Sequence, residues 1–159
     1  MPQGMIQPNN AILAAGQPEI EEMEVETTTQ FCPGKLVIVG TADYQCGPST
    51  TDSVNVLGVA DCPSDKKLTD YYTESAGGAV TVAFTAGDQI RVLRGDIVVK
   101  VILLSGGDVD KGERLVSAAN GMVAPYSAHT AEKVVGFAEE DTGGAAATCQ
   151  WILMKMTNV

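Results

Sequence analysis

Short runs of valine, isoleucine and leucine, nearly all closed by glycine, proline, asparagine or aspartate, limit the folds open to this chain more than any other feature. In order they read "KLVIVG", "SVNVLGVA", "AVTVAFT", "QIRVLRG", "DIVVKVILLSG", "ERLVSA", "KVVGFAE" and "CQWILMKM". β-Branched residues lose side-chain freedom in a helix and pack well on a pleated surface, and the turn formers interrupt each run before a helix of ordinary length is complete. The expectation is an all-β protein. Glutamate-rich "PEIEEMEVETTTQF" fits the same scheme, because Met23 and Val25 alternate with Glu22, Glu24 and Glu26 in the two-residue period of a strand with one wet face. Glutamates on such a strand mark a solvated edge that resists unwanted pairing. The most polar insertion, "SDKKLTDYYTESAGG" over residues 64–78, reads as a loop or one short helix.

An internal echo adds architecture. Residues 33–61 and 111–139 each hold a glycine turn, a Leu-Val strand, a loop with a proline (Pro48 or Pro125), and then "VLGVAD" or "VVGFAE". Gly34 to Gly58 and Gly112 to Gly136 have the same spacing, 24 residues (58 − 34 and 136 − 112). Two copies are too few for a solenoid and fit pseudo-symmetric halves of one small barrel-like domain. The domain is expected over residues 19–159, preceded by an extended arm over residues 1–18, where Pro2, Pro8 and Pro18 disfavour a helix. Within the arm, "AILAAG" is a short apolar patch.

With 159 residues, 45% of them hydrophobic, the chain has enough apolar material for one core without metal or disulfide support. Ten basic against twenty acidic residues give a net charge of −10, which repels a phosphate backbone and favours docking onto a locally positive protein surface. Nucleic acid is therefore not an expected partner. The first residues lack a basic stretch and a long apolar run, and the strongest apolar run, "IVVKVILL", is short and carries Lys100, so a soluble, unexported protein without membrane contact is expected. Four cysteines, Cys32, Cys46, Cys62 and Cys149, are widely spaced with no CxxC pair, which speaks against zinc and for buried thiols, with a Cys32–Cys46 or Cys46–Cys62 bridge left open.

Chemical motifs do not survive inspection. Glu139, Glu140 and Asp141 follow one another at a strand end, and adjacent strand residues point to opposite faces, so Glu139 and Glu140 cannot work as an acid/base pair. Asp108 and Asp110 precede Gly112 and Glu113 without the third oxygen ligand and terminal glutamate of a calcium loop. His129 is the only histidine, and no nucleophile elbow accompanies it. Arg94, Gly95 and Asp96 read as a tight turn between two strands, and no phosphate-binding glycine loop is present. No enzymatic activity, metal or cofactor is expected.

Gly112, Val116, Asn120, Gly121, Val135, Gly136, Ala138, Glu140, Asp141 and Gly143, followed by an apolar closing strand, form a pattern that resembles a family of tailed-virus capsid decoration or cement proteins, similar in plan to lambdoid head-decoration proteins. The resemblance covers about the last third of the chain. It implies a small β-clip or β-barrel-like domain without catalysis, a homotrimer on the outer surface of the virion, synthesised in the host cytoplasm, that clamps the major capsid protein. It also implies that Gly34, Gly58, Gly112, Asn120, Gly121, Gly136 and Gly143 are structural, and that the arm, through Met5, Ile6, Ile12 and Leu13, contacts the capsid. A ligand-binding or enzyme-associated β-clip module is the alternative.

Overall fold

A computed structural model describes residues 12–26, 31–51, 53–71, 83–126, 133–145 and 150–157. Among them the strands are β1 (Leu13–Ala15), β2 (Glu19–Val25), β3 (Leu36–Val39), β4 (Gln45–Pro48), β5 (Gly58–Asp61), β6 (Gln89–Arg94), β7 (Val98–Leu103), β8 (Arg114–Ser117), β9 (Val123–Pro125), β10 (Val134–Ala138) and β11 (Gln150–Met156). The described helical structure is confined to two 3-10 turns, Leu68–Asp70 and Ala119–Gly121. The protein is all-β, built of small barrel-like sheets.

The sequence echo becomes a duplicated architecture. Strands β2, β4, β3, β5 and β6 close into a five-stranded barrel. The other sheet runs β1-β7-β11-β10-β8-β9, and a parallel pairing of β7 with β9 joins β7 through β11 into a second ring. In each ring a central strand (β3 or β8) lies antiparallel between its two followers, and the first strand (β2 or β7) pairs parallel with the third. Registers agree as well: Val37 faces Gly58 as Leu115 faces Gly136, and Val25 faces Cys46 as Leu103 faces Val123. The Gly34 N–H donates to the Ala60 carbonyl at 2.9 Å, and the Gly112 N–H to the Ala138 carbonyl at 2.7 Å.

The repeat is therefore wider than residues 33–61 and 111–139, and each copy closes its own ring rather than supplying half of one. The reason is local. Strand β5 hydrogen-bonds to β6 and β10 to β11, so each echo finds its closing partner in the next strand of its own half. The two rings still share their packing: Leu36, Val59 and Leu93 of the first belong to the buried cluster of Val99, Val101 and Leu103, while Ile102, Ala118 and Met122 of the second join Met23, Phe31 and Val37. A buried polar link crosses between them. Ser117 Oγ donates to the Thr50 carbonyl at 2.7 Å, Ser49 and Ser117 hydroxyls lie 2.7 Å apart, and the Gly121 N–H donates to the Ser49 carbonyl at 2.8 Å. Those bonds satisfy hydroxyls that would otherwise be costly to bury.

Several expectations change. Residues 12–15, expected within the arm, are seated on the fold: Ile12 is fully buried and β1 pairs antiparallel with β7, Leu13 against Val99. Of "SVNVLGVA" only residues 58–60 are strand, within β5. Of "AVTVAFT", residues 83–85 are irregular and the rest lies outside the described residues. Strands β4 ("QCGP") and β9 ("VAP") read as loops by sequence, because glycine and proline are poor strand residues.

Candidate interaction surface

Carboxylates that suggest chemistry in the sequence are occupied with holding the backbone. Glu140 Oε1 accepts the Leu153 N–H at 2.8 Å, and Asp141 Oδ1 accepts the Gly143 N–H at 2.7 Å, so the acidic triplet pins the end of β10 to β11 and starts the next turn. Glu113 Oε2 accepts the Asp110 N–H at 3.0 Å, and Asp108 Oδ1 accepts from Thr142 Oγ1 at 3.1 Å. His129, Met5, Ile6 and Cys149 lie outside the described residues. Among the described residues no three histidine, cysteine, aspartate or glutamate side chains gather as a metal site would require.

The glycines and Asn120 are placed as turns and close contacts. Gly34 (φ +90°) packs against the Trp151 ring and Ile12, joining the rings to the root of the arm. Gly58 and Gly136 are extended and sit where the neighbouring strand comes closest. Asn120 (φ 54°) and Gly121 (φ 72°) turn the chain against Lys35 and Leu36, whereas Gly112 and Gly143, also with positive φ, face open space.

Buried ionisable groups serve the core. Asp61, 8% exposed, pairs with Arg91 at 2.9 Å and accepts the Cys62 N–H at 2.8 Å, yet burial outweighs both and raises its pKa above the usual carboxylate range. Cys32, Cys46 and Cys62 are buried, and Cys46 and Cys62 are free thiols. Burial pushes Cys46 up to about 12, helped by Glu21 and Glu26, and pushes Cys62 up to about 12, helped by Asp61, which leaves neither as a nucleophile at neutral pH.

Lys100, on β7, is only 6% exposed, and no ion pair among the described residues includes it. Burial lowers its pKa, because the charged form is the one penalised. The unfolded chain then binds the extra proton in the window just below the ordinary lysine pKa, so stability rises with pH through that window. At pH 7 the ammonium carries its full burial penalty, and Lys100→Met is expected to stabilise the protein by about 1 kcal/mol. The gain should shrink as pH climbs through the window; chemical denaturation at pH 7 and pH 10 checks both, and a destabilised Lys100→Met at pH 7 refutes the assignment.

What the first ring presents outward is different in kind. Among the described residues, Ile20 (53% exposed), Val39 (43%), Tyr44 (63%) and Val54 (49%) are large apolar side chains in contact with water. Ile38, Val39, Val54 and Leu57, with Ser53 and Asn55, line an open cleft beside the end of β3. The same ring carries acidic side chains: Glu19 and Glu21 flank Arg94 at 3.5 and 3.4 Å, Glu24 holds the Gln45 amide at 3.0 Å, and Glu26 caps Thr41 through both its backbone N–H and hydroxyl. Sequence reasoning finds the acidic face of β2 but misses the exposed apolar side chains, since Ile20 sits inside a glutamate run and Tyr44 in a turn. Exposed apolar side chains beside an open cleft, on a ring that also carries acidic groups, suit a protein contact. It offers area and electrostatic steering, and no reacting groups.

No family model and no curated protein matches the chain. Among solved structures, the "head fiber gp8.5 N base in bacteriophage phi29" is similar, with a TM-score of 0.52, 14% identity, and coverage of 89% of this chain and 95% of that one. The likeness is one of fold, and it extends over both rings.

Proposed function

We propose that the protein is a structural, non-enzymatic virion protein that binds the outer surface of an icosahedral capsid as a homotrimer and stabilises the shell by clamping neighbouring major capsid protein subunits. The observation that carries this reading is the fold shared over nearly the whole chain with a bacteriophage head-fibre base. The decoration-protein pattern from Gly112 to Gly143 supports it from the sequence side, and so does an outward face without reacting groups. Three copies of a modest contact engage a shell together at high effective concentration, so strong attachment needs no large single interface.

In this reading the arm's contacts begin before Ile12, with Met5 and Ile6. Ile12 and Leu13, by contrast, seat the arm on β7: Ile12 is fully buried, its carbonyl takes the Lys100 N–H at 2.9 Å, and Leu13 is half-buried. The experiment mixes purified protein with expanded, undecorated capsids and follows co-sedimentation and shell melting, with native mass spectrometry of the free protein. Expected are a trimer, saturable binding and a raised melting temperature of the shell. A monomer that leaves shells unbound sinks the proposal.

A further inference from the structure

The two rings share a design but not an edge. In the second ring, the first half of β7 is covered by β1: Leu13 faces Val99, Ala15 faces Val98, and the Lys100 N–H donates to the Ile12 carbonyl. The equivalent residues of the first ring follow at the common offset of 78 (112 − 34), which makes Ile20 the counterpart of Val98, Glu21 of Val99 and Glu22 of Lys100. Strand β2 is bound along its length by β6 on one side, but on the other only its end, Glu24 and Val25, meets β4. Among the described residues no strand lies against Ile20 to Glu22.

Alternation fixes which groups face that gap. The Glu24 N–H donates to the Tyr44 carbonyl and the Glu26 N–H to the Cys46 carbonyl, both toward β4, so the N–H groups of Glu22 and Ile20 point to the same side. Glu22 is exposed and Ile20 is 53% exposed. An edge like this accepts an added strand, and its side chains select which one.

We infer that the β2 edge is the seat of an extended segment from another protein, bearing an apolar residue beside Ile20 and, two positions along, a lysine or arginine beside Glu22. Charge decides the occupant. Glu19, Glu21, Glu22 and Glu24 outnumber the cations facing them across β6, Arg94 and Arg91, whereas an acidic strand would meet repulsion. The occupied edge of β7 supplies the geometry, an antiparallel strand only a few residues long whose first backbone bond goes to the position of Glu22. The inference rests on the proposed function only in naming the donor, which is then a capsid subunit.

The test uses isotope-labelled full-length protein and the peptide Thr-Lys-Thr-Val-Thr-Lys-Thr, with a control in which the valine is replaced by proline, equal in charge but without the donor that faces Ile20, so that the ladder is broken at its centre. The amides of Ile20 and Glu22 are expected to gain exchange protection with the first peptide and none with the second. Glu22→Pro, which removes only the outward donor, should abolish the effect. Glu22→Lys, which keeps the donor and reverses the charge, should weaken it at least tenfold and decides the matter if the proline variant does not fold. Equal binding of both peptides, or protection elsewhere on the surface, overturns the inference. Capsid binding separates the two claims: if wild-type protein ignores capsids the proposed function falls while the peptide result stands, and if Glu22→Pro or Glu22→Lys binds capsids as tightly as wild type, the edge inference falls alone.

Discussion

Gly136→Ala is expected to cost about 3 kcal/mol or more of stability and Gly58→Ala a similar amount, while Gly112→Ala costs about 1–2 kcal/mol. The first two residues sit in extended backbone where a methyl group has nowhere to go. At Gly136 it would press on the Met154 side chain and, at 2.6 Å, on the Lys155 carbonyl; at Gly58 it would meet the Leu93 carbonyl and Val92. Carbonyls in a ladder cannot step aside without breaking β10 from β11 or β5 from β6, and each of those pairings closes its ring. Gly112 has nothing within 4 Å of an added Cβ, so only its φ of +90° opposes alanine. A chain of this length loses roughly 2–4 °C of melting temperature per kcal/mol, so Gly136→Ala should melt about 10 °C below the parent and Gly112→Ala no more than about 8 °C below. Equal effects at the two positions would mean that strand approach is not what fixes Gly58 and Gly136.

The same pair of glycines shows how far the sequence can be read. Their equal spacing from Gly34 and Gly112 reveals the repeat, because a forced close approach leaves a residue type behind. What the spacing cannot carry is the closing partner of each copy. Strands β6 and β11 do not resemble one another, "QIRVLR" against "QWILMKM", since one faces the acidic β2 and the other the apolar β7. Pairing depends on backbone bonds that any residue supplies, so the rings can match in topology where the sequences do not. Strands β4 and β9 hide for a related reason: each needs only three or four residues between fixed neighbours, and Pro48 and Pro125 survive at a strand end where no ladder donor is required. The interaction surface was half legible. The wet face of β2 follows from alternation, but the gap beside Ile20 appears only when β2 is laid over β7, a comparison that requires the fold.

A chain beginning at Gly16 is expected to be about 4 kcal/mol less stable than one beginning at Ile12, whatever residues 1–11 contribute, because the difference belongs to residues 12–15 alone. Ile12 is fully buried in the cluster that includes Leu36, Ile97 and Val99, and losing a buried isoleucine costs about 2–5 kcal/mol. The Lys100 N–H loses the Ile12 carbonyl at 2.9 Å as well, and Trp151 and Gly34 lose a packing neighbour. Urea denaturation of the two chains measures the difference, and a gap below about 1 kcal/mol would contradict the seating of β1, since a single buried isoleucine exceeds it. Shell binding divides the arm differently. If Met5 and Ile6 make the contact, the chain beginning at Ile12 folds but no longer decorates capsids, and the chain beginning at Gly16 behaves the same at temperatures where it is folded. Should the chain beginning at Ile12 bind as well as the full-length protein, the contact lies on the first ring and the arm's part is only to hold β7. In that case the chain beginning at Gly16 bares a second strand edge, and loss of shell binding would come with self-association, which light scattering detects.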